Sequence, residues 1–373
     1  MPNMSEDLPA RIGDPLADIQ TPALIIDLDV FEANVALMAD HAAHLGVDLR
    51  AHAKTHKSAD IALRQMAAGA VGICCQKVSE ARALVDQGVT DVLIANEVVG
   101  PRKMMQLIAL AQRARVAVCA DHPEQVAALS AAAEGAGLTL DVLVEIDCGS
   151  HRCGVRPSEA VALALAIDAA PGLWFGGLQS YYGAAQHIYD PVARAAALAT
   201  SLAITAETRD AIRAAGLACD RITGAGTGTF ETEGASGVYT EIQAGSYVFM
   251  DVDYNRVRTD TNAAPGGFRQ SLFVLSSVMS VTAGRAVCDA GLKASSIDSG
   301  LPVVHMPEGV SCIGLSDEHG SLDDPSGRLR LDDRVWLIPG HCDPTCNLHD
   351  WYVGIRDGRV EALWPVTARG KLF

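Results

Sequence analysis

The sequence predicts an α/β protein built from a (β/α)8 TIM-type barrel and a smaller, mainly antiparallel β domain. Two observations lead to this prediction. From about residue 47, eight short apolar runs alternate with amphipathic stretches, which is typical of parallel strands joined by helices. After residue 265 the runs are rich in β-formers and follow one another without helices. The predicted barrel covers residues 30–262, and the β domain covers 1–29 plus 263–373. A doubly wound sheet is the alternative for the first part.

Length and composition restrict the classes of function. A chain of 373 residues is long enough for one large and one smaller domain. The net charge is −16 and no run is rich in Lys or Arg, so nucleic acid and anionic membrane surfaces are poor partners. No apolar stretch reaches the ~18 residues that a membrane span needs. The start, MPNMSEDLPARIGDPLADIQ, lacks the features of a signal peptide, which predicts a cytoplasmic protein.

The barrel strands and helices follow from hydrophobic periodicity. In the segments SADIALRQMAAG and VSEARALVDQG, apolar residues recur at i, i+3 and i+4, and each segment closes on Gly, as a helix does. The apolar runs that lie between such segments are predicted as strands, and they cover residues 47–53, 70–75, 91–96, 114–120, 141–148, 173–182, 219–224 and 239–245.

The β domain is predicted from four later runs. They are QSLFVLSSVMSV, RAVCDAGL, RLRLDDRVWLIP and WYVGIRDGRVEALWPV. The last contains Asp357 and Gly358 between two alternating arms, which predicts a hairpin. The apolar segment TPALIIDLD (21–29) precedes the barrel, and we expect it to pair into this domain.

The ten cysteines do not indicate a zinc ribbon or a disulfide framework. The sequence has no CxxC pair, which a closed four-cysteine zinc site requires. Several cysteines lie inside apolar runs, so most are predicted to be buried, reduced thiols.

In a TIM-type barrel the chemistry lies at the carboxyl ends of the strands. The predicted ends carry polar and glycine-rich segments. They comprise Lys54, Gln76, His151 and Arg152 in HRCG, Tyr181, Gln186 and His187 in SYYGAAQH, the loop TGAGTGT (223–229), and AGSY (244–247). Loops after the last two strands commonly hold phosphate through backbone N–H groups that glycine leaves accessible.

A lysine at one strand end and a phosphate-binding loop across the barrel point to a phosphorylated aldehyde held as a Schiff base. Pyridoxal phosphate is the obvious candidate. Each feature alone has a simpler interpretation: Lys54 as a solvated charge, GAGTG as an ordinary turn, and His187 as a structural residue.

The chain resembles the D-threonine aldolase group of fold-type III pyridoxal-phosphate enzymes, which includes the bacterial 3-hydroxy-D-aspartate aldolases. The resemblance extends over nearly the whole length. It rests on TPALIIDLDVFEAN, RAHAKTHKS, GICCQKVSEA, VEIDCGSHRCGV, the glycine loop, EIQAGSY, DAGLK, SDEHG and HCDPTCNLHDWYVG.

The resemblance implies a role for each matching residue. Lys54 would form the Schiff base, and His187 would act as the catalytic base. His341 and Asp343 would bind a divalent metal. Tyr182 stands where some relatives carry His, which is a departure in the pocket wall. The implied cofactor contacts are Lys54, Gln76, Arg152, Tyr181, Thr227, Gly245, Ser246 and Tyr254.

The motif HCD indicates an open metal site. An imidazole and a carboxylate two residues apart leave coordination positions for water and substrate. The related D-serine dehydratases pair His with Cys and prefer zinc, whereas a His with a carboxylate favours Mn2+ or Mg2+. We expect Cys342 to lie on the opposite side of an extended segment, and Cys346 and His349 to be structural. An ordinary turn hydrogen bond between His341 and Asp343 is the alternative.

The implied reaction is reversible cleavage of a 3-hydroxy-D-amino acid to glycine and an aldehyde. The metal would bind the β-hydroxyl and His187 would remove its proton. The side chain at Cβ, methyl or carboxylate, stays open. The alternatives are a D-serine or 3-hydroxy-D-amino acid dehydratase and a non-enzymatic pyridoxal-phosphate-binding protein. The resemblance also implies a homodimer in which the β domain of one chain covers the barrel mouth of the other. The sequence reason is that the metal motif lies far downstream of Lys54, on a separate domain, and must still reach the same substrate.

Overall fold

The computed structural model describes residues 8–259 and 262–373, and it confirms a closed barrel joined to a separate sheet. Residues 1–7 and 260–261, which the sequence assigns to the two predicted domains, lie outside the described residues. The first strand is β1 (Ala23–Asp27), and helix α1 (Leu28–Leu45) follows it directly. The Asp27 carboxylate accepts a hydrogen bond from the backbone N–H of Val30 at 3.1 Å, so the last residue of the strand caps the helix.

Eight parallel strands form the barrel, and the first pairs with the last. Each lies within or overlaps one predicted apolar run, so the barrel is confirmed and a doubly wound sheet is wrong. The strands are β2 (Asp48–His52), β3 (Gly72–Cys75), β4 (Asp91–Glu97), β5 (Arg115–Ala120), β6 (Leu140–Ile146), β7 (Leu173–Ser180), β8 (Ile222–Gly224) and β9 (Glu241–Ile242). The helices after them are α2 (Ala59–Ala67), α3 (Val78–Val85), α4 (Pro101–Ala111), α5 (Pro123–Gly135), α6 (Pro157–Ala169), α7 (Pro191–Ala214) and α8 (Phe230–Gly234).

An ion-pair network fills the amino-terminal end of the barrel. The Arg50 guanidinium of β2 lies 3.0 Å from the carboxylate of Glu241 on β9 and 2.6 Å from that of Asp91 on β4. To reach Asp91 it crosses Gly72, where a Cβ atom would come within 2.2 Å of Arg50 Nη1. Buried charges need such pairing. The network therefore fixes the inward face of β2. Lys54 comes two residues after the end of this strand, at His52.

The second sheet takes in the strand that precedes the barrel. β1 pairs antiparallel with β10 (Leu272–Thr282) and parallel with β16 (Trp351–Arg356), as the sequence predicts for TPALIIDLD. The elements are β10 (Leu272–Thr282), β11 (Arg285–Cys288), β12 (Val303–Met306), β13 (Ser311–Leu315), β14 (Gly320–Asp323), β15 (Arg334–Ile338), α9 (Cys342–Cys346), β16 (Trp351–Arg356) and β17 (Arg359–Pro365).

The sequence predicted some of these strands and missed others. The hairpin of β16 and β17 is confirmed, with Asp357 and Gly358 both at positive φ (49° and 70°). β12, β13 and β14 were not predicted. β12 and β13 are short and expose large apolar residues such as Met306 and Ile313, so neither shows the clean alternation of a half-buried strand.

Two contacts hold the second sheet and the segment before α9 against the barrel mouth. The backbone N–H of Val252 donates to the carbonyl oxygen of Pro339 at 3.1 Å. The Tyr352 hydroxyl of β16 donates to the carbonyl oxygen of His56, just past β2, at 2.6 Å. The ten cysteines are all free thiols, and eight of them are buried. Within the part of the chain that the structure describes, no helix has the length and apolarity needed to cross a bilayer.

Candidate active site

Lys54 lies at the carboxyl end of β2 and faces the barrel mouth. Its ammonium nitrogen lies 3.7 Å from the Asp343 carboxylate, and its side chain keeps 40% of its exposure. Burial disfavours the charged form of Lys54. Its electrostatic interactions with Tyr181 and Asp343 have the larger combined effect, so the pKa of Lys54 is raised above the ordinary value. Lys57 points elsewhere, because its ammonium pairs at 3.0 Å with the buried Glu80.

A cavity of about 210 Å3 surrounds Lys54 at the carboxyl ends of the strands. All eight residues that the sequence associates with the cofactor line this cavity. They are Lys54, Gln76, Arg152, Tyr181, Thr227, Gly245, Ser246 and Tyr254. Two further lining residues, Ala225 and Gly226, belong to the predicted loop TGAGTGT, whereas the sequence did not single out the remaining ones, which are His52, Thr55, Ala95, Gln179 and Gln243. The period of two along β2 could have found His52, since it shares the face of Lys54.

The glycine-rich loop after β8 has the features of a phosphate site. The Thr227 hydroxyl is buried and has no hydrogen-bond partner among the described residues. Gly226 packs so closely on the Gln186 side chain that a Cβ atom would lie 2.5 Å from its Oε1. Across the cavity, a Cβ on Gly245 would lie 2.5 Å from the His52 carbonyl oxygen. An unsatisfied buried hydroxyl beside closely approachable backbone fits a phosphate group.

Arg152 and Gln76 face the cavity from two other strand ends. The Arg152 guanidinium lies 5.6 Å from the Tyr181 ring centroid and 3.8 Å from the buried Glu145 carboxylate. The Gln76 amide nitrogen lies 2.9 Å from Nε2 of His52. Burial, followed by the charge of Lys54, lowers the pKa of His52 well below its ordinary value, so this imidazole is neutral.

The HCD motif meets Lys54 beside this cavity, through the contact of Asp343 with the Lys54 ammonium at 3.7 Å. His341 is extended, but the helix α9 starts at Cys342 and places Asp343 in its first turn. The expectation that the whole motif is extended is therefore wrong. The Asp251 carboxylate accepts a hydrogen bond from the Cys342 N–H at 2.8 Å, and this bond satisfies the first N–H group of the helix. Cys342 is buried, and the His349 ring bonds the Ala294 carbonyl oxygen at 2.8 Å.

His341 and Asp343 have the geometry of a pair of ligands to one ion. His341 Nε2 lies 3.9 Å from Asp343 Oδ1, and a single ion can touch both, since metal–ligand distances are about 2.1 Å each. The other ring nitrogen, Nδ1, bonds the Asp298 carboxylate at 2.7 Å. Such a carboxylate behind a histidine commonly orients it as a ligand. No pattern in the sequence pointed to Asp298.

The metal motif reaches Lys54 of its own chain. The motif reaches Lys54 without a partner, so its distance in the sequence from Lys54 does not support a homodimer. The contacts of the 339–342 segment with residues 251–253 explain why, because they fold the segment back over the mouth of the same barrel.

His187 lies in a 3-10 turn (Gly183–His187) after β7. It is not one of the described residues that line the cavity around Lys54. Its Nδ1 bonds the Asp253 carboxylate at 2.6 Å, and this bond raises the pKa of His187. Tyr189 donates to the other oxygen of Asp253 at 2.6 Å.

The comparisons with known proteins agree with this geometry. The family described as "Alanine racemase, N-terminal domain" matches residues 26–253, and "Putative serine dehydratase domain" matches residues 271–355. A 3-hydroxy-D-aspartate aldolase of Paracoccus denitrificans is 49% identical over 98% of this chain and 96% of its own. The chain belongs to this family of pyridoxal-phosphate enzymes.

Other members of the family match over most of their length. The crystal structure of D-threonine aldolase from Filomicrobium marinum has a TM-score of 0.95 at 51% identity, covering 98% of this chain and 100% of that one. A D-threo-3-hydroxyaspartate dehydratase of Delftia sp. is 31% identical over 89% of this chain and 93% of its own. Family members therefore include both aldolases and a dehydratase on one fold.

Proposed function

We propose that the protein is a pyridoxal-phosphate- and divalent-metal-dependent aldolase. It cleaves 3-hydroxy-D-amino acids of the D-threonine and D-3-hydroxyaspartate type to glycine and an aldehyde, acetaldehyde or glyoxylate, and the reaction is reversible. The observation that carries the proposal is the 3.7 Å contact between Lys54 and Asp343, which brings the proposed cofactor lysine and the proposed metal motif next to each other.

Different residues around the cavity are proposed to bind different parts of the cofactor. Lys54 supplies the amine, and Thr227, Gly245 and Ser246 hold the phosphate through hydroxyl and backbone groups. Gln76, Arg152, Tyr181 and Tyr254 enclose the ring. When bound, pyridoxal phosphate supplies the electron sink that accepts the bonding pair of Cα–Cβ.

His341 and Asp343 are the proposed ligands of the metal, and Mn2+ or Mg2+ is favoured over Zn2+. A neutral imidazole with a carboxylate is a harder donor set than the His and Cys pair of zinc-dependent dehydratases. A bound ion would supply a Lewis acid for the β-hydroxyl. His187 is the proposed acceptor of the hydroxyl proton, directly or through a water molecule.

Dehydration is the second candidate, because the Delftia relative carries that name. It would expel the hydroxyl group, for which a stronger Lewis acid such as Zn2+ is better suited. Asp343, a carboxylate in place of a thiolate, favours the aldolase. A carrier that only binds pyridoxal phosphate would need neither the second sheet nor the metal motif.

Product analysis tests the proposal. The holoenzyme is incubated with D-threonine and with D-3-hydroxyaspartate, with added Mn2+, and the Lys54→Ala variant is the control. Glycine with acetaldehyde or glyoxylate supports the aldolase. A keto acid with ammonia would establish the dehydratase, and the absence of both would leave a binding protein. The relative kcat/KM of the two substrates decides the preferred side chain.

A homodimer and a cytoplasmic location remain predictions. The homodimer now rests on the resemblance alone, since the metal motif reaches its own barrel. Light scattering separates a dimer from a monomer of 39.1 kDa.

A further inference from the structure

Asp253 lies behind His187, on the segment that also supports the metal motif. Its Oδ2 is 2.6 Å from Nδ1 of His187, and its Oδ1 accepts from the Tyr189 hydroxyl at 2.6 Å. Asp253 is 3% exposed, whereas the His187 side chain is 53% exposed. A nearly buried carboxylate therefore holds a largely exposed imidazole from one side.

The backbone around Asp253 is bonded to the segment that carries the proposed metal ligands. The N–H of Asp253 donates to the Gly340 carbonyl oxygen at 3.3 Å, one residue before His341. The Asp251 carboxylate accepts from the Cys342 N–H at 2.8 Å. Residues 251–253 thus contact the proposed base through a side chain and the metal motif through the main chain.

We propose that Asp253 is the positioning residue for the base of the reaction. By accepting the Nδ1–H of His187, its carboxylate selects the tautomer whose Nε2 has the free lone pair, and it fixes the plane of the ring. When Nε2 takes the hydroxyl proton, both ring nitrogens carry hydrogen, and the adjacent carboxylate stabilises the resulting imidazolium. No other group is needed to balance this transfer. The inference rests on the proposed function, because it assigns to His187 the proton of the β-hydroxyl.

Asp253 and Asp298 make the same kind of contact with two different histidines. Asp298 bonds Nδ1 of His341 at 2.7 Å, and Asp253 bonds Nδ1 of His187 at 2.6 Å. The first histidine is a proposed metal ligand and the second is the proposed base. Removing the two carboxylates should therefore affect two different measurements, metal affinity and turnover.

The experiment compares Asp253→Asn with Asp298→Asn in the holoenzyme. At saturating Mn2+, we expect Asp253→Asn to lower kcat by about 10- to 100-fold with little change in KM and no change in the Mn2+ dissociation constant. Asp298→Asn should instead weaken Mn2+ binding by about 10-fold or more. Asp190→Asn is the matched control: this carboxylate lies three residues from His187 and caps α7 through the Ala193 N–H at 2.8 Å, so kcat should not change.

A double-mutant cycle separates positioning from a general structural role. His187→Gln and the double variant His187→Gln with Asp253→Asn should form glycine at the same slow rate in single-turnover assays, since Asp253 acts through His187. Asp253→Glu, which keeps the carboxylate, should recover part of the kcat lost in Asp253→Asn. An Asp253→Asn enzyme with kcat close to the wild-type value would overturn the inference. So would an equal loss with and without His187.

The outcome also separates this inference from the proposed function. If the wild-type enzyme cleaves the substrate and His187→Gln cleaves it only slowly, while Asp253→Asn keeps a kcat close to the wild-type value, only the positioning role fails. A wild-type enzyme that releases neither glycine nor aldehyde contradicts the proposed function and, with it, the role of Asp253.

Discussion

At the scale of single residues, the burial of charge distinguishes Lys54 from Lys57 as the candidate for the cofactor lysine. The sequence offers Lys54, Lys57 and Lys77 near two strand ends. Lys57 pairs with Glu80, which is fully buried, and removing it would leave that carboxylate unpaired. Lys54 has its ammonium at the cavity and one carboxylate, Asp343, within 3.7 Å.

We therefore predict that Lys54 alone carries the cofactor covalently. Borohydride treatment of the holoenzyme followed by peptide mapping should place the reduced cofactor on Lys54. Lys54→Ala should lose the visible absorbance of the linked cofactor and at least about 1,000-fold in kcat, because the nucleophilic amine is gone. Lys77→Ala is the control and should retain both. A label on Lys57 or Lys77 would contradict the assignment.

The residue scale also shows what one sequence can and cannot reveal. The positions of Lys54 and Thr227 at one cavity were predictable because parallel strands bring their carboxyl ends together, whatever the helices between them. Asp253 and Asp298 were not predicted, because each acts on a histidine 43 or more residues away in the chain. Only packing brings such pairs together, and neither residue belongs to a local pattern.

At the scale of elements, the loop after β8 depends on close packing against the turn after β7. Gln186 is buried, accepts from the Gly228 N–H at 2.9 Å and donates to Thr229 at 2.8 Å. These bonds hold its amide next to Gly226, where a side chain has no room. The shape of the glycine-rich loop is therefore set by a residue of another loop.

Gly226→Ala should displace Gln186 and weaken cofactor binding. We expect the dissociation constant of pyridoxal phosphate, measured by titrating the apoenzyme, to rise by about 10-fold or more, since a bond or two to the loop is lost. Gly135→Ala is the matched control, because nothing lies within 4 Å of a Cβ there and the residue ends helix α5. Its affinity should equal that of the wild type. Equal affinities for both variants would contradict the packing argument.

The short helix α8 contains a buried acid, Glu233, next to the same loop. Burial raises the pKa of Glu233 to about 7, although the Thr229 hydroxyl and Tyr239 bond it. Because the folded pKa lies above the ordinary value of 4.5, the folded state favours the protonated acid. Stability is then full below about pH 4.5 and decreases as the pH rises toward 7.

Glu233→Gln should remove this pH dependence. We expect the free energy of unfolding of the wild type to fall, relative to that of Glu233→Gln, by on the order of 3 kcal/mol between pH 4.5 and 8. Urea unfolding at several pH values measures the difference. A difference between the two proteins that stays constant over this range would show that Glu233 is not the titrating group.

At the scale of the whole molecule, the two parts of the chain share a packed core, and the metal motif bridges them by contacts that need no ion. One hydrophobic cluster extends from the barrel, through Ile73 and Val92, to the second sheet, through Val274 and Tyr352. The 339–342 segment is held by backbone bonds to residues 251–253. The fold of the mouth is therefore held without the side chains of His341 and Asp343.

From this we predict that the metal matters for chemistry and not for folding. Two protein ligands, His341 and Asp343, supply too few bonds to hold a fold together, unlike a closed four-ligand site. EDTA should abolish aldolase turnover and leave the melting temperature and the absorbance of the bound cofactor almost unchanged. Adding Mn2+ or Mg2+ should restore turnover.

Asp343→Ala should behave as permanent chelation and lower kcat at least about 100-fold, because the β-hydroxyl loses its Lewis acid. Asp350→Ala, which removes an exposed carboxylate paired with Arg369, is the control and should retain metal-dependent activity. Near-normal, metal-independent cleavage by Asp343→Ala would make the motif structural, and His187 with Asp253 would then have to remove the proton without a metal.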